Sequence, residues 1–493
     1  MEPLLSLKPL LAVLIPLFAV PALLSAKNPN VREGWTFAGA GFLLLVIGSM
    51  VPDILAGETI VYQAVRLLPG VSLGFRVDSL GLLFALVSSS LWIVTTAYSI
   101  GYMRGLNEHS QTRYYSFFAL SLSAAVGVAF SANLLTLYLF YEMLSLATYP
   151  LVTHHQDSEA KSGGRKYLVY ILGTSITLVL PAMIVCYALT GTLEFGPGGI
   201  LDSTIGQGMT LLLLLLFVFG FAKAGVMPFH AWLPAAMIAP TPVSALLHAV
   251  AVVKVGAFSI LRVVTGILGV DHLAALNLGT VLAWIASFTI IVSSLIALSQ
   301  DGLKRRLAFS TIGQLSYIIL GAALLTPAGL TGGFLHIAMH AFGKITLFMC
   351  AGAIFVATGK TRISQMNGLG RRMPWTMLAF LAGSLSVIGL PPLGGFISKW
   401  NLLLGTLEPG REPFLVVLLV SSFLNAAYFL PIVYRAFFCS PHDKVCQGPR
   451  DEGPLWAYLP PVLTALASIA LFFYPQPFLA LARAAARSFL GGG

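Results

Sequence analysis

Charge is scarce in this chain. Asp, Glu, Lys and Arg make up 9% of its 493 residues, against roughly 25% in soluble proteins. A soluble enzyme of this length could not keep so apolar a sequence away from water. Cysteine is rare too: Cys186, Cys350, Cys439 and Cys446 form no CxxC, zinc spacing or iron–sulfur pattern. There is no GxGxxG fingerprint and no haem signature. No cofactor is therefore expected, and any redox chemistry would belong to partner proteins, which leaves open whether the chain serves an enzyme. Basic runs interleaved with aromatics are missing as well, which argues against nucleic acid despite a net charge of +10.

What is present is hydrocarbon. Hydrophobic residues make up 57% of the chain, in recurring runs of about 20, each enough to cross a ~30 Å bilayer core. The segments are too long and too uniform for a transmembrane barrel. The expectation is an all-α polytopic membrane protein of about fourteen spans, near 4–25, 35–53, 78–101, 113–131, 133–153, 166–190, 208–228, 242–265, 276–299, 307–325, 331–357, 374–404, 412–438 and 455–475. The first segment carries Pro9, Pro16 and Pro21 and lacks a basic n-region and a clear cleavage site, so it reads as a retained span. The longest loop is 54–77, with turn signals at Gly57 and Pro69-Gly70, and the tail from 476, holding Arg483 and Arg487, reads as a short interfacial helix.

Basic residues sort by loop. One alternating set holds seventeen: Lys27, Arg32, Arg104, Arg113, Lys161, Arg165, Lys166, Lys304, Arg305, Arg306, Lys360, Arg362, Arg371, Arg372, Arg435, Lys444 and Arg450. The other loops and the termini hold seven: Lys8, Arg66, Arg76, Arg262, Arg411, Arg483 and Arg487. The positive-inside rule then predicts both termini on the non-cytoplasmic side of the cell (inner) membrane. Four of the 28 basic residues remain, Lys223, Lys254, Lys344 and Lys399, all inside spans and all lysines. Lysine can release its proton when desolvated; arginine cannot. Among the acids only Glu142 falls near mid-span, while Asp78 sits at a helix start, where a carboxylate favours the helix dipole.

An ionisable group at membrane depth is costly and usually marks a pathway. In FVFGFAKAGVMPFHAWLPAAMIAPTPVSALLHAVAVVKVG (217–256), four prolines interrupt a run that carries Lys223, His230, His248 and Lys254. Glu142 and Lys223 suit a buried acid–base pair, and a static structural pair is the alternative. His248 and Lys254, six apart, face directions about 120° apart on a helix, so they suit successive points on a path. His336, His340 and Lys344 recur at i, i+4 and i+8 on one face. Such a column suits a proton relay or a structural polar seam; no carboxylate or Cys joins it, so no metal site is expected. Lys399 follows Pro391-Pro392 and Gly394-Gly395, which must break that helix. Paired breaks in two halves of a transporter suggest internal repeats. The polar stretch HHQDSEAKSGGRKYL (154–168) reads as a solvated loop that could also gather protons.

At these residues the chain resembles the antiporter-like subunits shared by Mrp-type multisubunit Na⁺/H⁺ antiporters, respiratory NADH:quinone oxidoreductase and membrane-bound hydrogenases. The resemblance covers roughly residues 75–440 and rests on NLLTLYLFYEMLSLATYPLV, FAKAGVMPFHAWLPAAMIAPTPVSALLHA, DGLKRRLAFSTIGQLSYI, HAFGKITLF and GLPPLGGFISKW. It implies three N-terminal helices (1–112), two inverted five-helix repeats (113–265 and 276–438) with helices 7 and 12 broken, and a C-terminal helix and tail (439–493). It also implies that Glu142 pairs with Lys223, that Lys254 is the central lysine, and that Lys399 is the distal lysine facing an exit half-channel. His248, His340 and Lys344 would lie on the polar axis between them. Lys399 stands where one respiratory subunit has glutamate, and the long lateral helix of the largest members is missing; the YEMLSLATYPLVTHH run and the length look most like the D-type Mrp subunits. The expected partners are other subunits of a membrane antiporter or respiratory-type complex, the lipid bilayer, protons and Na⁺. An autonomous carrier of an organic substrate would need a substrate clamp, and none is obvious.

Overall fold

The computed structural model describes residues 3–440 and 448–490; Lys444 and Cys446 lie outside the described residues. Helices dominate, as the composition requires. Among the described residues ten helices are long and apolar enough to cross a bilayer, and Gln207–Gly220 and Pro374–Ile388 are shorter apolar helices.

Local chemistry sets where helices begin. Asn28, Asp78, Asn133, Asp157 and Thr326 each accept a main-chain N–H from the first turn of the helix they precede, satisfying donors that a helix otherwise leaves free. Pro29, Pro327 and Pro374 occupy first turns, where no N–H is needed. These signals move two expected boundaries. The span placed at 35–53 begins at Pro29, which buries Arg32 and Glu33 in its first turn. The one placed at 166–190 begins at Ser158 behind Asp157, so most of the 154–168 stretch is helix and not loop.

The expected loop at 54–77 is the largest departure. Strands β2 (Ile60–Leu68) and β3 (Val71–Val77) form an antiparallel hairpin around Pro69-Gly70, with Gly70 at φ +71°. Strand β1 (Leu4–Leu5) adds in parallel, Leu4 opposite Ile60. The fold is therefore not purely helical, and the first span starts at Lys8. The tail also differs from expectation. Helix Gln476–Phe489 turns Arg483 and Arg487 outward but packs on the protein, with Phe489 edge-on to Phe334 and Phe478 against Phe342.

Two helices form the centre. Val243–Leu268 is wholly buried, and Pro327–Thr358 is mostly so; they pack against each other along Val243–Ala251. Beside them lie two interrupted helices, at the prolines where the sequence predicts breaks. The first ends at Gly220, continues as a 3₁₀ turn Ala222–Ala224, and is capped by Gly225 at φ +70°. The second stops at Ile388, passes Gly389 at φ +90°, and resumes over Gly395–Gly405. Each break contains a cis peptide, Met227–Pro228 and Pro391–Pro392. The loops also segregate into two groups. Leu4 pairs with Ile60, Phe75 with Ser131 and Asn133 with Glu194. In the other group Arg113 bonds His154, Lys304 bonds Ala239, Gly302 pairs with Arg362, and Arg372 bonds Asp451.

Gly256 sets how closely the first break approaches the central helix. A Cβ there would lie 2.1 Å from Ala224 N and 2.4 Å from Lys223 C, both main chain. Gly256→Val should lower stability by about 1–3 kcal/mol, read as a lower unfolding temperature of the purified protein. Gly41→Ala, with nothing within 4 Å of the new methyl, should leave that temperature unchanged. An unaffected Gly256→Val would refute the close packing.

Candidate functional site

The first break hands its freed main chain to specific side chains. Lys223 N–H donates to Tyr141 Oη (3.2 Å), Met227 N–H to Thr289 Oγ1 (3.2 Å), and Trp232 Nε1–H to the Ala222 carbonyl (2.8 Å). Thr174 Oγ1 donates to the Gly220 carbonyl (3.0 Å). With the backbone satisfied, a non-helical segment at membrane depth is tolerable. It holds the Lys223 ammonium over the Tyr141 ring, 3.1 Å from its centre, donating to the Tyr141 carbonyl (2.7 Å) and Ser145 Oγ (2.6 Å).

Glu142 is close but not in direct contact. No ion pair joins Glu142 and Lys223 among the described residues; Ser145 Oγ stands between them, donating to Glu142 Oε2 at 3.4 Å. Helix geometry gives the reason. Tyr141 and Ser145 share a face four residues apart, whereas Glu142 is turned about 100° from Tyr141. Glu142 Oε1 is buried without a hydrogen-bond partner among the described residues. The expected direct pair is thus a serine-bridged one.

The other candidates gather in the core. Lys254, 0% exposed, donates to the Ala249 carbonyl in the π-helical segment Val243–Ala251. Lys344 reaches the Leu307 carbonyl (3.3 Å) and lies 5.2 Å from the centre of the Phe429 ring. Lys399 donates to the Ile388 carbonyl at the second break (3.0 Å) and to Ser422 Oγ (3.2 Å), over the Tyr317 ring. His336 bridges Ser398 Oγ (2.8 Å) and Gln314 Oε1 (3.2 Å) and stacks on His340 with ring centres 5.5 Å apart. Neither ring nitrogen of His340 has a hydrogen-bond partner among the described residues. His340 lies within electrostatic range of Lys254, His336, Lys344 and Lys399. His248 stands apart from this column, edge-on to Trp232 and within electrostatic range of Lys304.

All four interior lysines therefore donate to main-chain carbonyls, Tyr141, Ala249, Leu307 and Ile388. Of the arginines, Arg262 meets Asp78, Arg104 meets Glu33 and Arg372 meets Asp451, while Arg76, Arg113 and Arg306 donate to main-chain carbonyls. A carboxylate stabilises its partner's charge, whereas a carbonyl accepts an N–H both from an ammonium, more strongly, and from a neutral amine. Loss of a proton therefore still leaves each lysine an acceptor. Arg262, expected among the surface loops, proves to be buried.

Two cavities carry charged groups in their linings. One of about 1050 Å³ is lined by Glu159, Lys166, His230, Asp301 and Lys304 among others. The other, about 360 Å³, is lined by Glu58, Arg76, Asp78, Arg262 and Arg487. Beside the larger one His154 is buried; burial, then the charges of His109, Arg113 and His155, holds its imidazole down to about 3, so it is neutral at physiological pH. Sequence reasoning singled out the ionisable residues but not Ser145, Gln314, Ser398 or Ser422, which hold them. Of these only Ser145 had a signal, its i+4 spacing from Tyr141.

Against known proteins, the family described as NADH:quinone oxidoreductase/Mrp antiporter, TM, matches residues 131–425. NADH-quinone oxidoreductase subunit N of Desulforudis audaxviator is 33% identical over 442 residues, 87% of this chain and 86% of that protein. An Na(+)/H(+) antiporter subunit of Alkalihalophilus pseudofirmus is 30% identical over 499 residues, 95% of this chain and 60% of that one. The chain spans about half the length of several other relatives it matches. A chain of the Mrp complex from a Dietzia species has the same fold, with a TM-score of 0.87, 24% identity and coverage of 98% and 97%.

If the interior lysines were there for stability, removing them would cost it. A buried charge without a carboxylate is instead a net burden that an apolar side chain of like volume relieves. Lys254→Met and Lys344→Met should leave the unfolding temperature unchanged or raise it. Asp78→Ala, which strands the buried Arg262, should cost about 3–5 kcal/mol. A large loss of stability in both lysine variants would assign them a structural role.

Proposed function

We propose, from the premise that this chain belongs to the NADH:quinone oxidoreductase/Mrp antiporter transmembrane family, that it is a proton-translocating subunit of a multisubunit monovalent cation/proton antiporter. The observation that carries this reading is the array of Lys223, Lys254, His336, His340, Lys344 and Lys399, all buried, with each member except His340 bonded to carbonyls, serines or an amide instead of carboxylates. Protons enter from the larger cavity past His230 and His248 and reach Lys223. They pass by Lys254 to the His340, Lys344 and His336 column and leave at Lys399. The unpartnered nitrogens of His248 and His340 favour water as the carrier between groups, since a dry imidazole would forfeit its hydrogen bonds. Glu142 acts as the switch: approach of its carboxylate stabilises the Lys223 ammonium, and withdrawal through Ser145 releases the proton toward Lys254.

Fourteen spans, with two inverted five-helix repeats at 113–265 and 276–438, fit the two breaks and the segregated loops. The excess of Lys and Arg on the loops around the larger cavity supports a cytoplasmic location for that face, with both termini opposite. The D-type assignment within Mrp antiporters rests on the YEMLSLATYPLVTHH run and the length. Its partners are then other antiporter subunits, with Na⁺ as the coupled ion. A second reading, a proton-pumping subunit of a redox complex, is favoured by 33% identity to subunit N across most of both chains.

In everted vesicles Glu142→Ala and Lys223→Ala should abolish ΔpH-dependent transport while the complex still assembles; normal transport in both would sink the pathway. Ser145→Ala should slow transport about tenfold or more, the worth of a hydrogen bond to a charged group, and Ser145→Thr should restore most of it. Mass spectrometry of the native complex separates the two readings. Small antiporter subunits alongside this chain support the first, and quinone-reductase or hydrogenase subunits the second.

A further inference from the structure

Outside the lysine array, two short connections meet beside the larger cavity. One joins the helix ending at Gly105 to the one starting at Gln111, with Asn107 and Ser110 at φ +50°. The other joins Val152 to Ser158, with Gln156 at φ +58°. Together they bring three imidazoles around one carboxylate. Glu108 Oε2 lies 3.7 Å from His154 Nε2, 3.7 Å from His155 Nδ1 and 3.9 Å from His109 Nδ1.

Three features distinguish this cluster from a solvated patch. His154 is 0% exposed, yet neither ring nitrogen has a hydrogen-bond partner among the described residues. His109 Nε2 lies 3.1 Å from the His154 carbonyl; donating there leaves Nδ1 as the lone-pair nitrogen facing Glu108, the outer-shell bond by which proteins orient a ligating imidazole. Ligand atoms of Glu108, His109 and His154 all fall within 4.8 Å of one another. Zinc ligands at about 2.0–2.1 Å in a tetrahedron stand about 3.4 Å apart, so side-chain rotations that move these atoms by about 1 Å close the set. One charged group opposes a cation: Arg113 donates to the His154 carbonyl at 2.8 Å. The Glu108 carboxylate offsets it.

We propose that Glu108, His109, His154 and His155 form a binding site for a divalent transition-metal ion of the zinc class. Three nitrogens and one oxygen suit zinc, cobalt or nickel, whereas calcium and magnesium need oxygen ligands. Bound there, the ion ties the 105–111 connection to the 152–158 connection at the rim of the larger cavity, which His155 also lines. The site is distinct from the His336, His340 and Lys344 column.

The test uses the purified full chain in detergent, stripped of metal and titrated with Co²⁺, whose visible absorption reports coordination. One Co²⁺ per chain should bind and be displaced by Zn²⁺. Glu108→Gln and His155→Ala should each weaken binding about tenfold or more, and the double variant His109→Ala/His155→Ala should abolish it. His109 is exposed and His155 half-buried, so the unfolding temperature of the stripped double variant should match that of the stripped parent. Zn²⁺ should also slow amide exchange in both connections of the parent and in neither of the double variant. Absence of stoichiometric binding, or equal binding by parent and double variant, overturns the proposal. Protonation of the cluster without metal affinity is one such overturning outcome.

Discussion

An ammonium group at membrane depth must be given oxygen. In this protein the main chain supplies it: each interior lysine donates to a carbonyl, in a π-helical segment for Lys254 and at the end of a broken helix for Lys399. Irregular backbone serves two of the four in this way, while Lys223 and Lys344 reach the Tyr141 and Leu307 carbonyls of regular helices. A regular helix commits its carbonyls to its own ladder; a π segment or an interrupted helix has carbonyls to spare. At Lys254 and Lys399 the irregular backbone and the lysine it holds are two aspects of one requirement.

The same requirement separates lysine from arginine. Arg262 and Arg104 sit at helix ends, held by Asp78 and Glu33, where a permanent charge is balanced by another permanent charge. Lysines occupy the interior, where nothing fixes their protonation state. A pathway needs groups that keep an acceptor through a change of charge, and a carbonyl allows that. Ser145 performs a related task for Lys223. Its hydroxyl accepts from the ammonium and donates to Glu142, so the carboxylate meets the lysine through a serine and not in a direct ion pair.

Much of this was legible in the sequence, for physical reasons. Bilayer spans are the strongest pattern a chain can carry, and the interior lysines appeared once the loop charges had been assigned. The breaks at Pro228 and at Pro391-Pro392 were legible because proline leaves the helix few options. What escaped was nonlocal. The hairpin over Ile60–Val77 reads as loop because its third strand comes from Leu4–Leu5, more than fifty residues earlier. The bond between Lys223 and Ser145 spans 78 positions, and a serine four residues from a tyrosine is common in any helix. Glu108 gave no sign that it would stand among histidines at 154 and 155, because that meeting depends on how two helix pairs dock. Helix starts at Pro29 and Ser158 were misplaced by following hydropathy when the caps were the better guide.

The wholly buried helix Val243–Leu268 has a consequence for biogenesis. A segment enclosed on every side by protein has no lipid-facing surface in the finished molecule, yet it emerges from the ribosome before the long helix Pro327–Thr358 that will cover it. During that interval Lys254 and His248 must face lipid, the translocation machinery or a provisional neighbour. Membrane helices insert first and associate afterwards. This one is apolar enough to insert but acquires its surroundings only once the second half of the chain has arrived. Chains truncated before that helix should therefore be substrates for quality control, whatever the stability of their remaining spans.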